Sequence, residues 1–151
     1  MNFEGKVAVI TGSSAGIGAE AAKKITSMGG RVTINYSKNK EAAEEVAHEC
    51  SRLGETPIIV KADIATDEGC KHLIDSAFGE FNAINILINN AGRTKFADHS
   101  NLDALQRDDF ENILALNLIS NYELIKNARP HLAMNRKSSI VNISSVAGLR
   151  G

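Results

Sequence analysis

Residues 6–18 read Lys-Val-Ala-Val-Ile-Thr-Gly-Ser-Ser-Ala-Gly-Ile-Gly and constrain the fold more than any other stretch of the 151-residue chain. The apolar run up to Ile10 has no polar alternation, which predicts a strand, Lys6–Ile10, that is covered on both faces. A turn of small residues follows, and Ile17 starts a helical pattern. Three glycines permit a tight turn and a close approach of the backbone to a phosphate: Gly12, Gly16 and Gly18. The helix N-terminus would then offer unpaired N–H groups and a positive dipole to a pyrophosphate.

The spacing of these glycines is Gly-x-x-x-Gly-x-Gly. It differs from the commoner dinucleotide fingerprint Gly-x-Gly-x-x-Gly, and it lacks the Gly-Lys-Ser/Thr of a P-loop. A turn that merely requires glycines is the alternative interpretation. The strand before the turn and the helix after it favour a phosphate-binding loop.

Composition excludes several classes of protein. The chain carries 17 basic and 18 acidic residues, so we expect no nucleic-acid or membrane partner. Apolar residues make up 43% of the sequence without a run of membrane-spanning length, and the opening residues lack the pattern of a secretory signal, which predicts a globular, cytoplasmic protein. Cys50 and Cys70 are expected to be buried or half-buried thiols rather than disulfide or metal ligands, and the histidines show no metal-ligand spacing.

Periodicity and turn residues predict four further strands, joined by helices. The predicted strands are Arg31–Tyr36, Ile58–Asp63, Ile84–Asn90 and Ser139–Ser144. The first predicted helix turns Ile17, Ala21, Ile25 and Met28 inward. The second predicted helix covers Lys40–Leu53, with Leu53 on its apolar stripe. The third starts at the cap residue Thr66, and the fourth runs from Asp108 to a kink or an end at Pro130.

Strands that alternate with helices predict a parallel sheet with helices on both faces. The predicted fold is an α/β, doubly wound (Rossmann) sheet in three α/β/α layers, with residues 1–151 as one dinucleotide-binding domain. Ligands of such sheets bind beyond the carboxyl ends of the strands. The small and polar segments follow those ends: Gly12–Gly18, Asp63, Asn89–Gly92 and Ser144–Gly148.

Four motifs resemble those of the short-chain dehydrogenase/reductase family, and the likeness covers the whole chain. They are the cofactor loop Thr11–Gly18, the strand-end motif Asn89–Gly92, the helix asparagine Asn117 and the serine segment Ser144-Ser145. The opening residues are especially similar to 3-oxoacyl-acyl-carrier-protein reductases and related ketone reductases. The resemblance implies an NAD(P)-linked interconversion of a small-molecule carbonyl and an alcohol, and a homo-oligomer for the complete protein.

In that family a Tyr-x-x-x-Lys motif follows the active-site serine, and this sequence ends before that point. Tyr36 and Tyr122 precede the serine and are not expected to replace the family tyrosine. We therefore expect an N-terminal fragment, truncated after the fifth strand and incomplete at its C-terminus, that does not catalyse hydride transfer by itself. The alternative is a naturally short, non-catalytic dinucleotide-binding or interaction protein.

The resemblance also assigns roles to individual residues. Asp63 would accept a hydrogen bond from the adenine amino group, with a local cap before the next helix as the alternative. Asn90 would hydrogen-bond the neighbouring strand backbones, while Ala91 and Gly92 leave room for a ribose, with an ordinary turn as the alternative for this motif. Asn117 would hold a water connected to the catalytic lysine, although a structural hydrogen bond would look the same in sequence.

Ser145 is the hydroxyl predicted to face the substrate oxygen, because it precedes Val-Ala-Gly as the family serine precedes its small-residue segment. The alternatives are that Ser144 has this role or that both serines cap the strand end.

The end of the second predicted strand bears on the choice of cofactor. An NAD site places an acid there for the ribose 2′-hydroxyl, whereas this chain has Asn35-Tyr36-Ser37-Lys38. Ser37 and Lys38 therefore predict NADP, although Ala15 stands where many NADP-dependent relatives have a basic residue. The residues predicted to contact the cofactor are Gly12, Ser14, Ala15, Gly16, Ile17, Gly18, Ser37, Lys38, Asp63, Ile64, Asn90, Ala91 and Gly92.

Overall fold

A computed structural model describes residues 2–135 and 137–146, in which strands and helices alternate along the chain as predicted. The strands are β1 (Val7–Ile10), β2 (Arg31–Tyr36), β3 (Ile58–Lys61), β4 (Ile86–Asn89) and β5 (Ser139–Asn142). They form a sheet in the order β3-β2-β1-β4-β5, and neighbouring strands are parallel. The predicted doubly wound α/β fold is confirmed.

The helices follow the strands in turn. They are α1 (Gly16–Ser27), α2 (Lys40–Leu53) and α3 (Asp67–Phe81), and after β4 a short 3-10 turn, Leu102–Ala104. A continuous helical stretch then consists of α4 (Arg107–Leu114), a π-helical segment (Ala115–Ile119) and α5 (Ser120–Ala133). The predicted cap residue Thr66 accepts a hydrogen bond from the Gly69 N–H at 3.0 Å and so starts α3.

Two hydrophobic clusters lie on opposite faces of the sheet. Alternation along β1 places Ala8 and Ile10 in one cluster and Val9 in the other. Residues of α1 and α2 complete the first cluster, and residues of α3 and α5, including Leu124, complete the second. The sheet is therefore the middle of three layers, and its carboxyl edge stays open between them.

The predicted strands, apart from β2, are longer than the observed ones. Lys6 precedes β1, residues 62–63 follow β3, residues 84–85 and Asn90 flank β4, and residues 143–144 follow β5. At the carboxyl ends the chain leaves the sheet although apolar residues continue the strand pattern, as Ala62 does after β3 and Ile143 after β5. These positions are where the candidate site begins.

The inward face predicted for α1 is partly wrong. Ile17 is 64% exposed, and the buried residues of this helix are Gly18, Ala19, Ala22, Ile25 and Thr26. Ile17 lies in the first turn of α1, at the end of the helix next to the glycine turn, whereas the buried residues lie further along the helix. Leu53 was also expected inside, but it is 49% exposed at the end of α2.

The last helical stretch differs from the prediction in two respects. Pro130 lies inside α5, which continues to Ala133, so the helix does not end at this proline, and the alternative of a kink there stays a prediction. The π-helical segment, with its wider turn, interrupts the regular helical period. Within this segment Leu116 is buried and Leu118 is exposed.

β5 lies at one edge of the described sheet, and each of its residues is exposed. Residues 147–151, including Ala147 and Gly148 of the predicted serine segment, lie outside the described residues. Among the helices that the structure describes, none has the length and apolar character needed to cross a membrane.

Candidate functional site

The glycine turn between β1 and α1 uses each glycine differently. Gly12 has φ +60°, and a Cβ there would lie 3.0 Å from Ala91 Cα. A Cβ on Gly18 would lie 2.6 Å from Asn90 Nδ2, so this glycine permits close packing of helix on strand. Gly16 has φ +57°, and a Cβ there would meet no described atom within 4 Å apart from its chain neighbours and the backbone of its own helix. The space in front of Gly16 is therefore open, as a cradle for a phosphate requires.

The N-terminus of α1 faces that open space without a competing anion. Its cap residue, Ala15, makes no side-chain capping hydrogen bond, and the first turn contains no acidic residue. The first N–H groups of a helix have no partner within the helix, and the dipole makes this end positive. The turn can therefore bind a pyrophosphate through backbone N–H groups.

Thr11 and Asn90 fasten the ends of β1 and β4 to each other. The Thr11 hydroxyl accepts hydrogen bonds from the backbone N–H groups of Asn90 at 2.9 Å and Ala91 at 3.0 Å. In return, Asn90 Nδ2 donates to the Thr11 carbonyl at 2.9 Å. These bonds lie where the sheet order passes from β1 to β4, so they hold the floor of the site.

Asn35 fastens the ends of β2 and β3 to the glycine turn. Its Oδ1 accepts a hydrogen bond from the Gly12 N–H at 3.0 Å, and its Nδ2 donates to the Ala62 carbonyl at 3.1 Å. The Ser13 hydroxyl accepts from the Asn35 N–H at 2.9 Å. The sequence placed Thr11 and Ser13 in the cofactor loop and Asn35 at the end of the second strand, but it predicted none of these hydrogen bonds. Their signal is a polar residue at the carboxyl end of a buried strand.

A first cavity of about 250 Å³ opens at these strand ends. Eight predicted cofactor residues line it: Gly12, Ser14, Ser37, Asp63, Ile64, Asn90, Ala91 and Gly92. Five others do not: Ala15, Gly16, Ile17, Gly18 and Lys38. Ala15, Gly16 and Ile17 are exposed beside the cavity, and Lys38 is exposed directly after Ser37. The lining residues that the sequence analysis did not propose are Asn35, Tyr36, Ala62, Arg93 and Leu116.

Asp63 makes the local contact that was the alternative for it, and its adenine role stays a prediction. Its Oδ1 accepts a hydrogen bond from the Ala65 N–H at 3.1 Å, which stabilises the turn before α3. The side chain is exposed and lines the first cavity. The carboxylate therefore keeps acceptor capacity for a donor in that cavity.

A second cavity of about 640 Å³ adjoins the first and shares residues 90–93 with it. It extends to the end of β5, where Ser144 and Ser145 line it, and to the π-helical segment and α5, where Asn117 and Asn121 line it. The structure brings the two predicted catalytic residues, Ser145 and Asn117, to the same cavity. Ser144 lines it as well, so the register of the active serine stays a prediction.

Asn117 binds the backbone of the segment that follows β4. Its Oδ1 accepts from the Arg93 N–H at 2.9 Å, and its Nδ2 donates to the Arg93 carbonyl at 2.8 Å. The side-chain amide therefore has a structural partner in the loop, and its backbone carbonyl accepts from Asn121 Nδ2 at 3.0 Å. The predicted water link to a lysine is not tested by these contacts.

Two tyrosines have a lysine four residues later, Tyr36 with Lys40 and Tyr122 with Lys126. Tyr36 is buried and lines the first cavity, whereas Ser145 lines the second. Tyr122 is 66% exposed and lines neither cavity. Neither pair therefore shares a cavity with Ser145.

The two cysteines are buried free thiols, as predicted. Burial raises the pKa of the Cys70 thiol to about 12, so this thiol stays protonated at neutral pH and lacks the thiolate needed of a nucleophile. Among the described residues, no group of three or more histidine, cysteine, aspartate or glutamate side chains could hold a metal ion.

A parallel sheet whose order reverses beside a glycine turn, with a cavity at the carboxyl ends of its strands, defines the class of dinucleotide-binding α/β proteins. The chain belongs to the short chain dehydrogenase family, whose model matches residues 6–151. The family predicted from the motifs is therefore confirmed.

Relatives and solved structures agree with this assignment. The chain is 36% identical over 147 residues to a Streptomyces violaceoruber protein named as a ketoacyl reductase of the granaticin polyketide synthase, covering 97% of this chain and 57% of that protein. It is 31% identical to the Staphylococcus aureus 3-oxoacyl-acyl-carrier-protein reductase FabG, covering 97% of this chain and 58% of that protein. A Burkholderia cenocepacia short chain dehydrogenase solved with NADP superposes with a TM-score of 0.92 at 32% identity, over 99% of this chain and 59% of that one. The chain thus spans less than two thirds of the length of these relatives.

Proposed function

We propose that this chain binds NADP and forms the cofactor-binding part of an enzyme that interconverts a carbonyl and an alcohol. The observation that carries the proposal is the open space in front of Gly16, at the uncapped N-terminus of α1 and beside the first cavity. The solved relative that contains NADP supports the nucleotide class. When bound, NADP supplies or accepts the hydride.

The cofactor would lie along the carboxyl edge of the sheet. The glycine turn and α1 would hold the pyrophosphate, and Asp63 and Ile64 would contact the adenine end. Ala91 and Gly92 would leave room for a ribose between the two cavities. Thr11, Asn35 and Asn90 would keep this groove rigid, because their side chains connect four strand ends.

The preference for NADP rests on the end of β2. Residues 31–38 contain no acid that would repel a 2′-phosphate. Ser37 lines the first cavity and can donate a hydrogen bond, and the exposed ammonium of Lys38 follows it. A charge-assisted hydrogen bond to a phosphate is stronger than a neutral one.

Ser145 would donate its hydroxyl to the substrate oxygen in the second cavity and favour the developing alkoxide. A ketone also needs a proton at that oxygen, and no Tyr-x-x-x-Lys motif follows Ser145 within the 151 residues. Loss of a positioned general acid reduces rates by about 10²–10⁴-fold. Residues 1–151 would therefore bind the cofactor without turning over a ketone.

Residues 1–151 and the product of the complete reading frame are each expressed in the cytoplasm of a host cell and compared. NADPH binding is measured for both, followed by ketone-dependent NADPH oxidation. We expect NADPH binding by both forms and turnover by a form that contains Tyr-x-x-x-Lys after Ser145. Turnover by residues 1–151 would mean that another group supplies the proton, and a complete product of 151 residues that binds NADPH without turnover would favour a non-catalytic dinucleotide-binding protein.

A further inference from the structure

Arg93 lies at the junction of the two cavities. It follows Gly92 directly and contributes to the walls of both. Its backbone N–H and carbonyl are both bound by the Asn117 side chain, at 2.9 and 2.8 Å. The position of its Cα is therefore fixed relative to the helical wall of the second cavity.

The described lining of the second cavity has a positive side chain and no negative one. Of the described residues that line it, Arg93 is the only one with an ionisable side chain. The others are apolar or carry amides and hydroxyls, such as Asn117, Ser144 and Ser145. A cavity with a cation and no carboxylate in its wall favours an anionic ligand.

The guanidinium of Arg93 has no ion pair or hydrogen bond with the residues that the structure describes. By contrast, the neighbouring cation Lys95 is bound to Asp109 at 2.6 Å. Arg93 is exposed, so its fork of donors is available to a ligand. Arginine recognises carboxylates and phosphates through two parallel hydrogen bonds.

We propose that Arg93 binds an anionic group of the carbonyl substrate, either a carboxylate or a phosphate ester. This inference rests on the proposed function, because it takes the second cavity as the substrate site. The phosphates of the cofactor have other partners in that proposal, at the glycine turn and at Ser37 and Lys38. The cation at the cavity junction is then left for the substrate.

The test uses the protein from its complete reading frame in complex with NADP, the oxidised cofactor, so that no ketone is reduced. Calorimetry measures the affinity of this complex for two matched pairs of probes. Acetoacetate is compared with methyl acetoacetate, and dihydroxyacetone phosphate with dihydroxyacetone. The two pairs distinguish a carboxylate from a phosphate ester, because each pair differs in a single charged group.

We expect the wild type to bind at least one anion about tenfold or more tightly than its neutral counterpart, as the strength of hydrogen bonds between charged groups implies. Arg93→Gln should remove this difference, and Arg93→Lys should retain part of it. Arg129→Gln should keep the difference, because Arg129 is an exposed residue of α5 that lines neither cavity.

Three results would overturn the inference: no preference for either anion in the wild type, a preference that survives in Arg93→Gln, or a loss in Arg93→Gln that appears in NADP affinity alone. A protein that binds NADP but shows no preference for anions contradicts this inference and leaves the proposed function standing. A protein that does not bind NADP contradicts both.

Discussion

Asn117 holds the backbone of Arg93 with both ends of its side-chain amide, accepting from the N–H at 2.9 Å and donating to the carbonyl at 2.8 Å. The two residues are 24 positions apart, and their hydrogen bonds join the π-helical segment to the loop after β4. This pairing shapes the boundary between the two cavities. π-helical turns inside α-helices occur frequently at functional sites.

Replacing Asn117 by leucine should release the loop. Two hydrogen bonds are lost, and since the site is exposed, water replaces part of them, so we expect about 1 kcal/mol less stability. The sharper readout is hydrogen exchange, in which the Arg93 amide should lose its protection. Asn127→Leu is the control, because Asn127 Nδ2 donates to the Glu123 carbonyl at 2.8 Å and Asn127 lines neither cavity. An Arg93 amide that stays protected in Asn117→Leu would contradict this account.

Gly18→Ala should destabilise the fold. The new Cβ would lie 2.6 Å from Asn90 Nδ2 and 2.9 Å from the Gly12 carbonyl oxygen, so the glycine turn or Asn90 must shift. Overpacking of this kind costs about 1–3 kcal/mol, measured by urea unfolding. Gly79→Ala is the control, since Gly79 lies in α3 and a Cβ there would meet no described atom within 4 Å apart from its chain neighbours and the backbone of its own helix. That change should be neutral or stabilise the helix by about 1 kcal/mol. Equal effects of the two substitutions would contradict the packing role of Gly18.

Lys38→Glu should erode the preference for NADP. Lys38 is exposed after Ser37, and a carboxylate there would repel a 2′-phosphate and could accept from a ribose hydroxyl. We expect the ratio of NADP to NAD affinity to fall about tenfold or more, as the loss of a charge-assisted contact implies. Lys24→Glu is the control, because Lys24 is a basic residue in the last turn of α1, at the opposite end from the glycine turn. Equal affinity of the wild type for both cofactors would refute the preference.

Ser145→Ala should lower turnover much more than cofactor affinity, because the hydroxyl is expected to face the substrate. Loss of a donor to a developing oxyanion reduces turnover by about 10²–10³-fold. Ser144→Ala is the matched variant, since Ser144 lines the same cavity one residue earlier. Both variants are assayed in the product of the complete reading frame. If the loss follows Ser144 instead, the predicted register is one residue off.

The first and last residues of some elements could be predicted from the sequence. β2 and α2 have the predicted bounds, because Gly29 and Gly30 precede the strand and Gly54 ends the helix. Strand ends next to the site were predicted too long, since apolar residues such as Ile143 continue after the ladder ends. The inward face of α1 was partly wrong because Ile17 lies at the helix end that faces the site rather than the core.

The hydrogen bonds that hold the site could not be predicted from local patterns. Thr11 and Asn90 are 79 positions apart, and Asn35 and Ala62 are 27 apart, so the sequence shows each polar residue without its partner. The motifs placed eight cofactor residues on the first cavity, because glycines and small residues at strand ends have few other uses. Arg93 was missed because a single arginine in a polar loop carries no pattern until the fold places it between two cavities.

The central claim is that a dinucleotide binds across the space in front of Gly16, and equilibrium binding of NADPH tests it most directly. Titration of NADPH fluorescence compares the wild type with Gly16→Val and Gly5→Val. Both glycines have positive φ, +57° and +69°, so the two variants carry the same kind of backbone strain. Apart from chain neighbours and own-helix backbone, neither new Cβ would meet a described atom within 4 Å. We expect saturable binding by the wild type and by Gly5→Val, and none by Gly16→Val. No binding by the wild type, or equal binding by all three proteins, would contradict the account.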